Sequence, residues 1–130
     1  QSVVLTRVPG RASRMPEGER LAAFAATGAT LVIHLAIHAI DKIVEQLTPF
    51  YGADCPAVVI ERASWPDQRI VRGVLSDVAG RLAAQPIERT AVILIGRALA
   101  AEDFRESALY DPDYRRRFRG GASRAEENGA

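Results

Sequence analysis

Apolar residues cluster along the chain in five short runs that predict β-strands. Each run is rich in valine, isoleucine or leucine, the composition of strands that pack on a pleated, buried surface. Glycine or proline follows several of the runs closely, as expected where a strand gives way to a turn. The predicted strands are residues 2–7, 30–35, 57–60, 68–74 and 91–95.

Three segments between these runs carry apolar residues at helical spacing. Gly28 supplies a stop after the first segment, and Pro49 with Gly52 ends the second. Ser76 is the candidate cap of the third segment, which stops before Pro86. The predicted helices are residues 17–27, 40–49 and 76–85.

The order of these elements predicts an α/β domain with an open mixed five-stranded sheet flanked by helices. A turn around residues 65–67 joins the third strand to the fourth. So short a link favours antiparallel neighbours, because a parallel crossover needs about a dozen residues or more. The strands are continuous in apolar residues, so we expect cover on both faces of the sheet.

The composition is that of one ordinary folded domain. The chain has 130 residues, 48% of them hydrophobic, and a formal net charge of +1, so no overall field favours nucleic acid or an anionic membrane. Cys55 is the only cysteine, and no apolar stretch approaches about 18 residues. Both features indicate a reducing, aqueous compartment, and the cytoplasm is the simplest choice.

The two ends of the chain predict different things. The chain starts inside a strand-like run with no initiator methionine, which we interpret as a cut within a longer protein. Residues 111–130 have the polar, arginine-rich composition of a disordered tail. Nucleic-acid binding by residues 115–119 is a weak alternative, because no aromatic platform accompanies them.

Several familiar catalytic devices have no support in this sequence. It lacks a glycine-rich phosphate loop, cysteines at zinc spacing and a Gly-x-Ser-x-Gly elbow. His34 and His38 stand four residues apart, but one falls at a strand end and the other at a helix entry. No carboxylate lies between them, so core or loop histidines are favoured over a metal site.

Two loops are candidate binding segments, each with an ordinary structural alternative. Arg7, Arg11 and Arg14 follow the first strand, where guanidinium groups could bind a substrate bearing several carboxylates. They could equally be solvated, or paired with Glu17 and Glu19. Residues 63–66, Ala-Ser-Trp-Pro, could let the backbone approach a ligand that the indole walls, or could form a hairpin turn anchored by a buried tryptophan.

Several of these segments together resemble the tetrapyrrole methylase family. The resemblance covers about residues 1–110 in collinear order, and the joint occurrence of its motifs makes it more specific than any one of them. Gly10-Arg11 and Met15-Pro16 belong to it as well. The main matching segments are VVLTR at 3–7, ATLVIHL at 29–35, ASWPDQ at 63–68, VRGVL at 71–75 and TAVILIG at 90–96.

The resemblance implies a two-domain methyltransferase with S-adenosylmethionine in the cleft between the domains. Residues 1–110 would be its carboxy-terminal domain, with the amino-terminal domain absent from this sequence. By position, the resemblance implies donor contacts from Leu35, Ala63, Ser64 and Ala91. It implies substrate contacts from Thr6, Arg7, Arg11 and Arg14.

The implied activity is methylation of carbon 11 of the corrin precursor precorrin-4, giving precorrin-5. No metal is required, and no catalytic residue is assigned. The implied partners are the tetrapyrrole, the missing amino-terminal domain and a second copy of the protein. Two alternatives stay open: methylation of another position of the corrin ring, or a non-catalytic role in dimerisation or interaction for this segment alone.

Overall fold

The computed structural model describes residues 2–101, which form a five-stranded sheet with helices. Single turns of 3-10 helix lie at Glu17–Glu19, Ile37–Ala39 and Arg97–Ala100. The strands are β1 Val3–Arg7, β2 Thr30–His34, β3 Pro56–Glu61, β4 Arg69–Val74 and β5 Ala91–Ile95. The α-helices of the described residues are α1 Leu21–Ala25, α2 Ile40–Tyr51 and α3 Val78–Ala84.

The strands lie in the order β1-β2-β5-β3-β4. β1 and β2 are parallel, whereas β5 is antiparallel to both of its neighbours, and β3 and β4 form the expected antiparallel pair. β1, β2 and β3 therefore end at the same edge of the sheet, where β4 and β5 begin. We call this the carboxyl edge and the opposite one the amino edge.

The hydrophobic core lies on one face of the sheet, beneath the helices. Alternate strand residues point to it, as the pleat requires, among them Leu31, Ile33 and Ile93, whose exposure is 0%. Ile43 and Leu47 of α2 belong to the same cluster, as does the inward side of α3. Burial of this face supplies the main driving force for folding.

The other face of the sheet is open among the described residues. Val3, Leu5 and Ile70 point to it and are 61%, 71% and 40% exposed. Val58, on the inner strand β3, is buried but stands outside the core cluster. Cover on both faces was expected, and residues 2–101 provide it on one face only.

Three helix boundaries differ from the predictions. The helix predicted from residue 17 is interrupted at Arg20, which is extended, because Glu17–Glu19 bury no side chain against the core. Pro49 lies inside α2 rather than ending it, and Gly52 follows the last helical residue. Asp77, not Ser76, precedes the first residue of α3. The predicted tail, residues 111–130, lies outside the described residues.

Candidate functional site

The carboxyl edge gathers the residues singled out from the sequence. His34 pairs with Val92, so Leu35 after β2 lies beside Ala91 at the start of β5. The turn after β3 stands two strand spacings from Leu35, about 10 Å away. The residues placed along this edge, within β1 or next to the strand ends, are Thr6, Arg7, Leu35, Ala63, Ser64 and Ala91. Arg11 and Arg14 lie in the loop that follows β1.

Backbone strain is concentrated at this same edge. In residues 2–101, positive φ angles outside glycine occur at Leu35 (54°), Arg62 (48°), Ser64 (70°) and Thr90 (56°). All four flank strand ends at the carboxyl edge. A residue with a side chain loses roughly 1–3 kcal/mol in such a conformation, and strain of this kind clusters at ligand sites. None of the four is a glycine or an asparagine, the residues most often found in the left-handed conformation.

The turn after β3 is held by several hydrogen bonds. The Arg62 backbone N–H donates to the Thr90 carbonyl at 2.8 Å, which ties the turn to the start of β5. The Trp65 N–H donates to the Arg62 carbonyl at 3.0 Å, and the Ser64 N–H donates to Gln68 Oε1 at 2.7 Å. The predicted turn is therefore present. Its tryptophan is not buried, because Trp65 is 56% exposed.

The three arginines after β1 have different surroundings. The Arg7 guanidinium donates to Ser13 Oγ and to the Arg14 carbonyl, both at 3.1 Å, so it braces its own loop. Arg11 and Arg14 are exposed, and no ion pair joins either to a carboxylate of residues 2–101. Glu17 pairs instead with Arg20, not with the loop arginines.

An open depression of about 340 Å³ lies between the end of β1, its loop and the end of β2. It brings Thr6, Arg7 and Leu35 together, whereas Arg11 and Arg14 do not line it. Several of its lining residues had no predicted role, although Met15-Pro16 was part of the family resemblance. The lining residues without a predicted role are Leu5, Met15, Pro16, Glu19 and His34.

The two histidines do not form a metal site with other side chains of the described residues. His34 ends β2 and His38 lies in the 3-10 turn that precedes α2. Within residues 2–101, no group of three or more histidine, cysteine, aspartate or glutamate side chains is placed to hold a metal ion. The same part of the chain contains no helix with the length and apolar character needed to cross a bilayer.

Residues 1–79 match the family described as Tetrapyrrole (Corrin/Porphyrin) Methylases. The chain belongs to the tetrapyrrole methylase family. The matched residues include β1, β2, β3 and β4, and with them most of the carboxyl edge. The resemblance inferred from the sequence motifs is thereby confirmed.

Relatives and solved structures agree with this assignment. The precorrin-4 C(11)-methyltransferase of Sinorhizobium sp is 65% identical over 120 residues, which are 92% of this chain and 47% of the relative. That of Pseudomonas aeruginosa is 52% identical over 121 residues, 93% of this chain and 48% of the relative. The chain therefore spans about half the length of the curated relatives it matches.

The solved structure of a cobalt precorrin-4 methyltransferase, a cobalamin biosynthetic enzyme, superimposes with a TM-score of 0.72 at 33% identity. The match covers 78% of this chain and 42% of that one. It confirms the predicted fold, an open mixed five-stranded sheet with helices, as that of a methylase domain. The assignments of individual donor and substrate contacts stay predictions.

Proposed function

We propose that this chain is the carboxy-terminal domain of an S-adenosylmethionine-dependent methyltransferase that converts precorrin-4 into precorrin-5 by methylating carbon 11. The observation that carries the proposal is the 65% identity to a precorrin-4 C(11)-methyltransferase over 92% of the chain. Residues 1–110 form this domain in the proposal, and an amino-terminal domain completes the active site.

The geometry of the carboxyl edge supports a donor site there. Four proposed donor contacts lie at or next to three neighbouring strand ends: Leu35, Ala63, Ser64 and Ala91. The last three have small side chains. Small side chains leave backbone N–H and C=O groups accessible, which suits recognition of an adenosyl group by main-chain hydrogen bonds. The left-handed conformations of Leu35 and Ser64 turn their peptide groups away from the regular sheet pattern.

The chemistry required of this domain is mainly positioning. S-adenosylmethionine supplies a methyl group on a sulfonium, which already contains a good leaving group. The residues of the carboxyl edge would hold the donor in line with the macrocycle carbon and help to exclude water. No side chain at this edge is assigned as a general base, and no metal is part of the proposal.

The arginine loop is the proposed substrate contact. Precorrin-4 carries acetate and propionate side chains, and Arg11 and Arg14 are exposed in the loop whose later residues Met15 and Pro16 line the depression. Thr6 and Arg7 line the depression itself. Since Arg7 already bonds Ser13 and the Arg14 carbonyl, its main contribution would be to hold the loop in place.

The proposed partners are the amino-terminal domain and a second copy of the protein, in the cytoplasm. An open sheet face with Val3, Leu5 and Ile70 exposed supports a protein partner, because apolar surface of this kind is usually covered. The same face favours the second candidate function, a non-catalytic interaction domain. Methylation of another corrin-ring position remains a narrower alternative to carbon 11.

Calorimetric titration of S-adenosylhomocysteine separates the two functions. The titration is run on the chain alone and on the chain supplemented with the remaining part of the Sinorhizobium relative. We expect binding heat in the supplemented sample and methylation of precorrin-4 at carbon 11, read by mass spectrometry and carbon NMR. Absence of heat in both samples would contradict the donor site, and a different methylated carbon would contradict the substrate assignment.

A further inference from the structure

Trp65 is an unusual residue for its position. It is the single tryptophan of the chain, and it is 56% exposed at the tip of the turn between β3 and β4. Tryptophan contributes most when its large ring is buried, and exposed rings held in place are typical of binding surfaces. The core cluster of the described residues does not include it, so packing on the core does not account for its presence.

The turn that carries Trp65 is held by hydrogen bonds and an ion pair, and one cation lies over the indole. The Arg62 guanidinium lies over the indole, 5.9 Å from the ring centroid, and forms an ion pair with Asp67. The backbone N–H of Trp65 donates to the Arg62 carbonyl, and the Trp65 carbonyl accepts from the Gln68 N–H at 3.0 Å. A turn fixed in this way loses little conformational entropy when a ligand packs on it.

Local charge indicates what kind of ligand the ring would bind. The two cations nearest in sequence are already neutralised, Arg62 by Asp67 and Arg69 by Glu61 at 2.9 Å. The polycarboxylate macrocycle would require several cations, and the arginines proposed to bind it follow β1, at the other end of the carboxyl edge. A neutral aromatic ring requires only a flat apolar surface, which the indole provides.

We propose that Trp65 is a binding residue for the purine ring of the methyl donor, and that its indole stacks on the adenine. The inference rests on the proposed function and adds a residue to the donor site. Ala63 and Ser64, two proposed donor contacts, stand directly before Trp65 in the same turn. Ser64, whose backbone is left-handed, directly precedes the residue that carries the ring.

Two substitutions of similar apolar bulk test the stacking. W65F keeps an aromatic face and W65L does not, so both remove the indole but only one removes the π surface. We expect W65L to weaken S-adenosylhomocysteine binding about tenfold, and W65F to weaken it much less, in calorimetry on the supplemented chain. F50A is the matched control, because Phe50 is 48% exposed near the end of α2 at the amino edge.

The outcomes keep this inference separate from the proposed function. If the wild-type protein binds no S-adenosylhomocysteine, the proposed function fails. If the wild type binds S-adenosylhomocysteine and both variants bind it with the affinity of the wild type, only the proposed role of Trp65 fails. A loss of tetrapyrrole affinity with unchanged donor affinity would also overturn it, and would move Trp65 to the substrate side of the cleft.

Discussion

At the amino edge of the sheet, side chains hydrogen-bond the backbone of neighbouring segments, whereas at the carboxyl edge the backbone is strained. The Tyr51 hydroxyl donates to the Ala29 carbonyl, and the Arg97 guanidinium donates to the Tyr51 carbonyl at 2.7 Å. The Asp77 carboxylate accepts from the Val74 N–H at 2.8 Å. These contacts join the end of α2, the entry to α3 and the strands between them.

The difference indicates that the amino edge stabilises the fold and that the carboxyl edge is the side of the proposed ligand contacts. Contacts between elements at the amino edge stabilise the fold, and Cys55 and Leu75 are buried beside them. Left-handed residues at the carboxyl edge, such as Leu35 and Ser64, reduce stability and are retained where ligand contacts are proposed. Substitutions at the two edges should therefore have opposite effects on stability.

The largest effect on stability is expected at Gly96, directly after β5 ends at the amino edge. A Cβ there would lie 2.8 Å from Thr30 Oγ1 and 3.1 Å from Thr30 Cα. The Thr30 backbone belongs to β2 and cannot move freely, so Gly96→Ala should lower the free energy of unfolding by about 1–3 kcal/mol. Urea denaturation followed by circular dichroism measures the change.

Gly80→Ala is the matched control for this substitution. Gly80 lies inside α3, and a Cβ added there would meet nothing within 4 Å. Alanine should therefore raise the free energy of unfolding by roughly 0.5–1 kcal/mol through helix propensity. Equal responses at Gly96 and Gly80 would contradict the close packing of the amino edge.

A smaller effect of opposite sign is expected at Leu35 on the carboxyl edge. Leu35 has φ 54° and is 78% exposed, so Leu35→Gly relieves strain and removes little buried surface. We expect the free energy of unfolding to rise by about 1 kcal/mol, while S-adenosylhomocysteine binding weakens several-fold. Denaturation and calorimetry on the same samples give both numbers.

Leu5→Gly provides the comparison for Leu35→Gly. Leu5 is similarly exposed, at 71%, but lies within β1 and has no positive φ. Glycine there should lower stability by roughly 0.5–1 kcal/mol, because it weakens a strand without relieving strain. If Leu35→Gly destabilises the protein as Leu5→Gly does, the carboxyl edge stores no strain at that residue.

Much of the fold could be predicted because its strands are encoded locally. Runs such as Ala91–Ile95 are apolar throughout, and each predicted strand is present within a residue or two. The insertion of β5 between β2 and β3 could not be read from any one segment, since strand pairing depends on contacts distant in sequence. Pro49 was misjudged for a related reason, because packing of α2 on the core outweighs one lost hydrogen bond.

The candidate site was less predictable than the fold. The resemblance named Leu35 and Ser64, and the structure places them together with Thr6 and Ala91 at one edge. Their left-handed backbone had no signal in the sequence, because leucine and serine adopt it only where surrounding contacts impose it. The sequence left the exposure of Trp65 open, because the turn suits either a ligand-facing or a buried ring.

The smallest expected effect is a pH dependence that originates at the amino edge. The backbone hydrogen bond from Val74, and then the Arg81 guanidinium at 2.9 Å, hold the pKa of Asp77 below its ordinary value of about 4. A carboxyl group with a depressed folded-state pKa contributes stability above its unfolded pKa, and that contribution is lost as the pH falls through the folded pKa. Asp77→Asn should therefore make the free energy of unfolding fall less steeply below about pH 4 than it does in the wild type.

Urea denaturation at a series of pH values from 7 to about 2 measures the slope for the wild type and for Asp77→Asn. Asp54→Asn tests the second such group, whose pKa the Arg97 hydrogen bond lowers. An identical fall in the free energy of unfolding at low pH in all three proteins would show that these carboxylates do not stabilise the amino edge.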